Sequence, residues 1–501
     1  MRIDDLMRSA VDAYPDRLAL VDFDDRRVTW AELGAASDAA CEVLKAQGVR
    51  HGDRVVIVLE NAAVMLAYLF AASKLNAIAV PINAKLTRVE VERIVRHSDA
   101  AAVVLTVETG APPQALTQAL GAERVEGRLG AVAVLARAGA TPEPVPVEAQ
   151  RQVAVMLYTS GTTGAPKGAM LSHATMLAAA AASEEMRGIV PEDVTYLGLP
   201  MSHIFGLVTI LAVIRAKASA RLEARFDVAR LYDALYQDVT LLPAVPQMHA
   251  HLFHYARDRG ESRYTRGLLR FASSGGAPLD PAWKRETEAF YGIALQNGYG
   301  LTETAAGVCA TRSARGDPDV SVGVPMQGSQ LRVNLDAPGS QPEEGIGEIE
   351  IGGPQLMLGY FREPGQSAAA FTDDGWFRSG DLGRFDEAGR LHIVGRSKEL
   401  IIHSGFNVYP VEVEAALTEH RDVMLAAVVG RKVTGNEEVL AFVTCRDGAG
   451  LSEAGLQAFL RERLVPYKVP SRIVIVDELP AAPTGKILKS TLLTHFASAL
   501  S

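Results

Sequence analysis

The strongest constraint on the fold is an alternation of strand-length apolar runs with helical patterns through most of the chain. RVVIVLE (Arg54 to Glu60) reads as a buried strand and precedes the helical stretch Ala62 to Leu75. AAVVLT and AVAVLA are further short runs, and QVAVMLYTS feeds the chain into a glycine-rich loop. Strands alternating with helices predict α/β layers around a largely parallel sheet. No repeat of solenoid length is visible. The most membrane-like run, AAVMLAYLFAASKLNAIAV, is broken by Ser73, Lys74 and Asn76, so it is expected to be a buried helix.

After about residue 340 the pattern changes. GEIEIGGP and GRLHIVGRSKELIIHSG read as short alternating strands joined by glycine turns. VEVEAALTEH follows Pro410 as a helix, VMLAAVVG and VLAFVTC read as strands, Ser452 can cap SEAGLQAFLRERL, and RIVIVDELP is a last strand. The joint is placed at the charged GRSKE, Arg396 to Lys398. The expected architecture is a large N-terminal layered α/β domain (1–396) and a small, mobile C-terminal α+β domain (397–501).

A chain of 501 residues exceeds what one core supports. Fifty basic against 59 acidic residues, a net charge of -9, and no basic block argue against nucleic acid as a partner. Cys41, Cys309 and Cys445 lie far apart, which supports neither a disulfide framework nor a zinc site and fits a reducing, cytoplasmic setting. The start, MRIDDLMRSAVDAYPDR, lacks the apolar core of a signal peptide. No integral membrane segment is expected. The sequence is silent on oligomeric state and leaves a homodimer open.

YTSGTTGAPKG (Tyr158 to Gly168) is almost a Walker loop. Counted from Gly161, the second required glycine is Pro166, and Gly168 replaces the hydroxyl after Lys167. The physical logic of anion binding remains. Glycines turn backbone N–H groups inward, hydroxyls donate, Lys167 adds charge, and a helix beginning near Ser172 is expected to aim its positive end back at the loop. The competing reading is a polar surface loop. NGYGLTET, WFRSGDLGRF, LPMSHIFGL and PTGKILK are each ambiguous alone: a turn before a helix, an Asp in a tight turn, a core histidine and a surface lysine.

Taken together and in this order, YTSGTTGAPKG, GYGLTE, SGDLG, GRSKELI and PTGKI resemble the ANL superfamily of adenylate-forming enzymes, which includes acyl- and aryl-CoA synthetases. The resemblance extends from VTWAEL to PTGKILK. It implies ATP-dependent activation of a carboxylic acid to an acyl-adenylate with Mg2+, then thioester formation with coenzyme A. By resemblance Thr159, Ser160, Gly161, Thr162, Thr163, Gly164 and Lys167 hold the β- and γ-phosphates, and Thr159 and Glu303 contact magnesium. Asn297, Gly298, Tyr299 and Gly300 run along the adenine with Gly276, Ala277 and Pro278, and Thr302 lies near the α-phosphate. Asp381 takes the ribose hydroxyls with Arg396 beside it, and Asn407 contacts the adenylate. Lys486 bridges the carboxylate and the α-phosphate, and Lys398 is the hinge. Gly405 lies beside the pantetheine arm, and Lys468 is a candidate cation for the CoA phosphates, because IIHSG lacks the lysine-rich run of plant coumarate ligases.

The acyl pocket, again by resemblance, is lined by His203, Ile204, Phe205, Gly275, Ala305 and Ala306, with His203 among the catalytic residues. These side chains are mostly small or apolar and imply an uncharged, fairly bulky tail. VPQMHAHL lacks the arginine of malonate-activating relatives, and Ile204 stands where dihydroxybenzoate-activating relatives carry asparagine. An aromatic acid or a medium- to long-chain fatty acid remains. The alternative is a stand-alone enzyme loading a carrier protein, which would be a separate chain because no carrier domain follows PTGKILK.

Overall fold

A computed structural model describes residues 1–107, 111–149, 151–160, 166–276, 279–404, 406–433, 436–446, 450–481 and 487–500. The elements that build the site are, in chain order, β1 (Val153–Ser160), β2 (Pro166–Ser172), α1 (His173–Arg187), α2 (Ile204–Arg215), β3 (Phe271–Gly275), β4 (Leu295–Leu301), β5 (Ala306–Ala310), β6 (Gly359–Tyr360), β7 (Phe377–Phe385) and β8 (Leu391–Arg396).

Two large sheets dominate the first part of the chain. One runs in the order β6, β2, β1, Ile78–Ile82, Arg54–Val58, Ala102–Thr106, Val132–Ala136, Glu123–Val125. Its centre, from β1 to Ala102–Thr106, is parallel, and its edges are antiparallel. The other carries β5, β4 and β3 beside Leu241–Ala244, Val194–Leu197, Ser219–Leu222 and Leu18–Val21. Parallel pairing joins all of these except the antiparallel β4–β5 pair.

One continuous apolar core joins the two sheets through helices. Ala63–Lys74 and α2 are buried on nearly every side, as their uninterrupted apolar sequences require. Each Leu, Ile or Phe buried there stabilises by about 1.5–3 kcal/mol, which sets the scale of this layer. The membrane-like run is therefore a core helix followed by the strand Ile78–Ile82. Among the described residues no helix is long and apolar enough to cross a membrane.

A third, antiparallel sheet orders Gln330–Asn334, Gly347–Gly352, β7 and β8. Beyond Arg396 the chain builds sheets of its own: a pair (Ile401–His403, Phe406–Val408) and a trio (Val423–Val433, Asn436–Cys445, Arg472–Ile475). Pro410 opens the helix Pro410–Thr418, and the Ser452 hydroxyl accepts from Gly455 N–H at 3.2 Å to cap Glu453–Arg461. Tyr409 ties this region back to the third sheet. It packs with Ile346 and Leu382, and its hydroxyl accepts from Gln341 at 2.7 Å.

Two histidines are buried as neutral rings. Burial pushes His249 down to about 4; its Nε2 donates to the Ser273 carbonyl (3.2 Å) and its Nδ1 accepts from the Tyr291 hydroxyl (2.9 Å). Burial, with Arg2 and the chain N-terminus adding repulsion, pushes His173 to about 3. Unfolded, both rings take a proton near the ordinary 6.5. Their contribution is thus complete above about pH 6.5 and is lost as pH falls toward their folded values, because the unfolded chain binds more protons there. The thermal midpoint is expected to fall steadily from about pH 6.5 to 4.5. His249→Gln should flatten that slope while lowering the midpoint at neutral pH, and melts across the pH range would check both.

Candidate active site

The strands on either side of the glycine-rich sequence pair with each other. β1 and β2 pair antiparallel, with Thr159 opposite Lys167 and Ser160 opposite Pro166, so the two strands bracket 161–165. The expected helix does begin after Ser172, whose hydroxyl accepts from Thr175 N–H at 3.0 Å. It does not point at the loop. β2 carries the chain back until Ser172 lies opposite Val153 at the other end of the hairpin, about 20 Å away at ~3.4 Å per strand residue. The helix terminus acts only within its first turn. That terminus therefore adds no charge to the loop, whereas Lys167 stands at the start of the strand that follows it.

Lys167 does not stand alone. β6 pairs with β2, placing Tyr360 opposite Ala169, and the Lys167 ammonium lies 5.2 Å from the Tyr360 ring centroid. The Tyr360 hydroxyl donates to Glu303 at 2.9 Å. Burial first, then the Glu303 charge, raises the Tyr360 pKa, so the phenol stays protonated and keeps donating. Local sequence gave no sign of Tyr360, because it reaches the site through long-range pairing of the short β6.

Glu303 sits in the 3-10 turn Thr302–Thr304 that links β4 to β5. The Thr304 hydroxyl accepts from Leu301 N–H (2.9 Å) and donates to the Ala306 carbonyl (3.0 Å). Ala305 and Ala306 take left-handed φ values of 46° and 78°, a strained arrangement for residues with a Cβ, and Glu303's carbonyl accepts from Met357 N–H at 2.8 Å. Gly300 is required here, since a Cβ on it would lie 1.6 Å from the Ala306 carbonyl oxygen. Asn297 has its amide committed within the protein: Nδ2 donates to the Ser321 carbonyl and Oδ1 accepts from Gly298 N–H, both at 2.9 Å.

Asp381 and Arg396 are ladder partners on β7 and β8, joined at 2.8 Å. Tyr299, from the other sheet, donates its hydroxyl to the second oxygen of Asp381 at 2.5 Å. Burial and then the Asp381 charge hold the Tyr299 pKa well above the ordinary value. Burial opposes the Arg396 charge, but Asp381, Glu399, Tyr299 and Glu303 together raise its pKa. Tyr299, Asp381 and Arg396 thus form one bonded polar group, and Glu303, four residues beyond Tyr299, lies near enough for its charge to act on Arg396.

Of the residues expected to line the acyl pocket, His203 caps α2, its Nδ1 accepting from Phe205 N–H at 3.3 Å. Phe205 packs against Gly275, where an added Cβ would come 3.0 Å from its ring. Ile204 and Ala305 are buried in the core. Beyond the joint, Asn407 pairs with Ile402 across the small hairpin. Lys468 has both ammonium contacts on Glu412, each at 2.7 Å, so its charge is already matched within the domain. Lys489 bridges Glu399 (3.2 Å), next to Lys398, and Glu414 (2.7 Å). Gly161, Thr162, Thr163, Gly164, Ala277, Pro278, Gly405 and Lys486 lie outside the described residues, as does the Ser160 side chain.

The family model of AMP-binding enzymes matches residues 7–361, and that of the AMP-binding enzyme C-terminal domain matches 412–486. The 2-succinylbenzoate–CoA ligase of Geobacillus kaustophilus is 34% identical over 482 residues, 95% of each chain. ATP-bound MatB from Rhodopseudomonas palustris superposes with a TM-score of 0.85 at 31% identity, covering 100% of both chains. The o-succinylbenzoate CoA synthetase of Bacillus subtilis, solved with ATP and magnesium, gives 0.82 at 28% identity over 97% of this chain and 98% of its own.

Gly300→Ala is expected to displace the Thr302–Thr304 turn and to destabilise by about 2 kcal/mol or more, because backbone rather than a flexible side chain must move. Denaturant melts of the variant would measure it.

Proposed function

Because the chain belongs to the family of AMP-binding enzymes over most of its length, we propose that its site joins a carboxylic acid to coenzyme A through an acyl-adenylate. The acid is aromatic or a medium- to long-chain aliphatic. The observation that carries this reading is the pair of neighbouring polar groups, Lys167–Tyr360–Glu303 and Tyr299–Asp381–Arg396, with the Glu303 charge acting on Arg396. It offers phosphate-binding charge at one end and a ribose-binding carboxylate at the other.

In the first half-reaction a carboxylate oxygen attacks the α-phosphorus of ATP, and pyrophosphate leaves toward the hairpin loop. Lys486 places its ammonium between the two approaching anions, where it lowers their repulsion most in the transition state. In the second, the CoA thiol attacks the acyl carbonyl and AMP departs. Magnesium, when bound, draws charge from the phosphate oxygens. Glu303 and Thr159 supply the hard oxygen ligands it prefers, with Tyr360 fixing the Glu303 carboxylate. The small domain turns about Lys398 between the two steps, taking Lys486 out and Gly405 in. Lys468, matched by Glu412, would hold the CoA phosphates only by exchanging that partner. The unpaired thiols of Cys41, Cys309 and Cys445 suit a cytoplasmic setting.

AMP release from Mg-ATP, with and without CoA, across benzoates, cinnamates and C6 to C16 fatty acids tests the reading. CoA-dependent release with one acid class supports it, whereas pyrophosphate exchange without CoA stimulation would replace it with carrier-protein loading. Lys486→Ala is expected to slow adenylation by about 10²–10³ while sparing transfer from a supplied acyl-adenylate. Equal loss of both steps would remove the assigned role. Tyr360→Phe should raise the magnesium concentration for half-maximal rate about tenfold, since it frees the ligand's supporting hydrogen bond. A magnesium titration at saturating ATP would check it.

A further inference from the structure

Next to Phe205 lies a buried cation that adenylate chemistry does not use. Arg187 ends α1, and its guanidinium carbon is 6.0 Å from the centroid of the Phe205 ring. The same ring is the one that packs against Gly275. Arg187 is only 7% exposed. It donates to the carbonyl of Ser183 at 3.3 Å and to the Ser183 hydroxyl, both one turn earlier on its own helix, while its Nε is buried without a partner. Burial alone acts on its pKa, pushing it down to about 10, with no carboxylate among the described residues opposing that.

Among the described residues, two more buried hydroxyls, placed by helix and strand spacing near Phe205 and Gly275, have no hydrogen-bond partner. The Thr209 hydroxyl lies one turn beyond Phe205 on α2 and so shares its helix face. The Ser273 hydroxyl lies two residues before Gly275 on β3 and so shares its sheet face. The C-terminal carbonyls of α1 favour a cation at that end, which accounts for an arginine in that position. Among the described residues they leave Nε without an acceptor and the charge without a counter-ion. A buried guanidinium in that condition is strongly unfavourable until an anion completes it.

We propose that Arg187, with the hydroxyls of Thr209 and Ser273, receives a second oxyanion at the far end of the acid. One carboxylate becomes the thioester. The other group, a carboxylate or sulfonate, stays charged against Arg187, and the carbon chain or ring between them runs along Phe205. The inference rests on the ligase reading above and narrows it. The uncharged tail expected from His203, Ile204 and Phe205 omitted Arg187 because it belongs to a different helix.

Length-matched pairs of acids test it: octanoate against octanedioate and 8-sulfo-octanoate, and cinnamate against 4-carboxycinnamate, each followed by CoA-dependent AMP release. The doubly anionic member is expected to have the higher kcat/KM by about tenfold or more, and the better of the two octanoate derivatives identifies the oxyanion. Arg187→Met should abolish the preference through KM, lowering kcat/KM for the doubly anionic acid on the order of 10- to 100-fold, and Arg187→Lys should retain part of it. Thr209→Val provides a second variant with little change in volume and should reduce the preference a few-fold. A wild-type preference for the singly charged acid in every pair overturns the inference and leaves the ligase reading standing. A preference unchanged in both Arg187→Met and Thr209→Val also overturns it. Absence of AMP release from every acid in both series, while a benzoate or another C6 to C16 acid still gives it, overturns this inference alone; silence across that wider panel as well refutes both readings.

Discussion

A carboxylate that is 3% exposed holds this molecule's working parts together. Asp381 takes Arg396 from its own sheet and Tyr299 from the neighbouring one, so a single buried charge fixes how those sheets meet. Such a charge tolerates no vacancy, because removing a partner strands it in a medium that solvates it poorly. The consequence reaches in two directions. Along β4 it anchors the strand that ends in the Thr302–Thr304 turn and Glu303. Along β8 it anchors the last residue before the chain enters its C-terminal part. A ribose seated on Asp381 would meet a carboxylate already aligned, with little reorganisation left to do.

The second organising feature is the edge strand β6. It is only two residues long, yet it zips onto β2 and brings Tyr360 between Lys167 and Glu303. Short edge strands contribute little to stability alone. Their value here is positional: a phenol links the Lys167 ammonium to the Glu303 carboxylate. Strain at Ala305 and Ala306 and the close approach at Gly300 belong to the same turn, which is held by backbone and by the Thr304 hydroxyl rather than by side-chain packing.

Much of this was legible in the sequence wherever the signal is local. The strands at Arg54–Val58, Ala102–Thr106 and Val153–Ser160 follow from apolar runs, the helix after Pro410 from its proline, and the cap at Ser452 from its hydroxyl. Asp381 and Arg396 carried recognisable motifs, and the structure places them opposite each other. What was not legible depends on how distant segments pair. The direction of α1 was misjudged because a returning strand looks, residue by residue, like the approach to a helix. Tyr360 and Arg187 were missed because neither lies near a motif. Lys468 looked available because nothing local announces Glu412 across the domain.

The ion pairs of Lys489 carry a mechanical implication. Glu399 follows the proposed pivot directly, and Lys489 follows Lys486 by one short step of chain. Ala481 and Ile487 pair in an isolated antiparallel bridge, and Lys489 clasps both Glu399 and Glu414. Lys489 thereby ties the start of the last helix to the turn Ser397–Glu399 and to the helix Pro410–Thr418. The two carboxylates it joins come from separate elements, so one ammonium acts as a rivet through three pieces of chain.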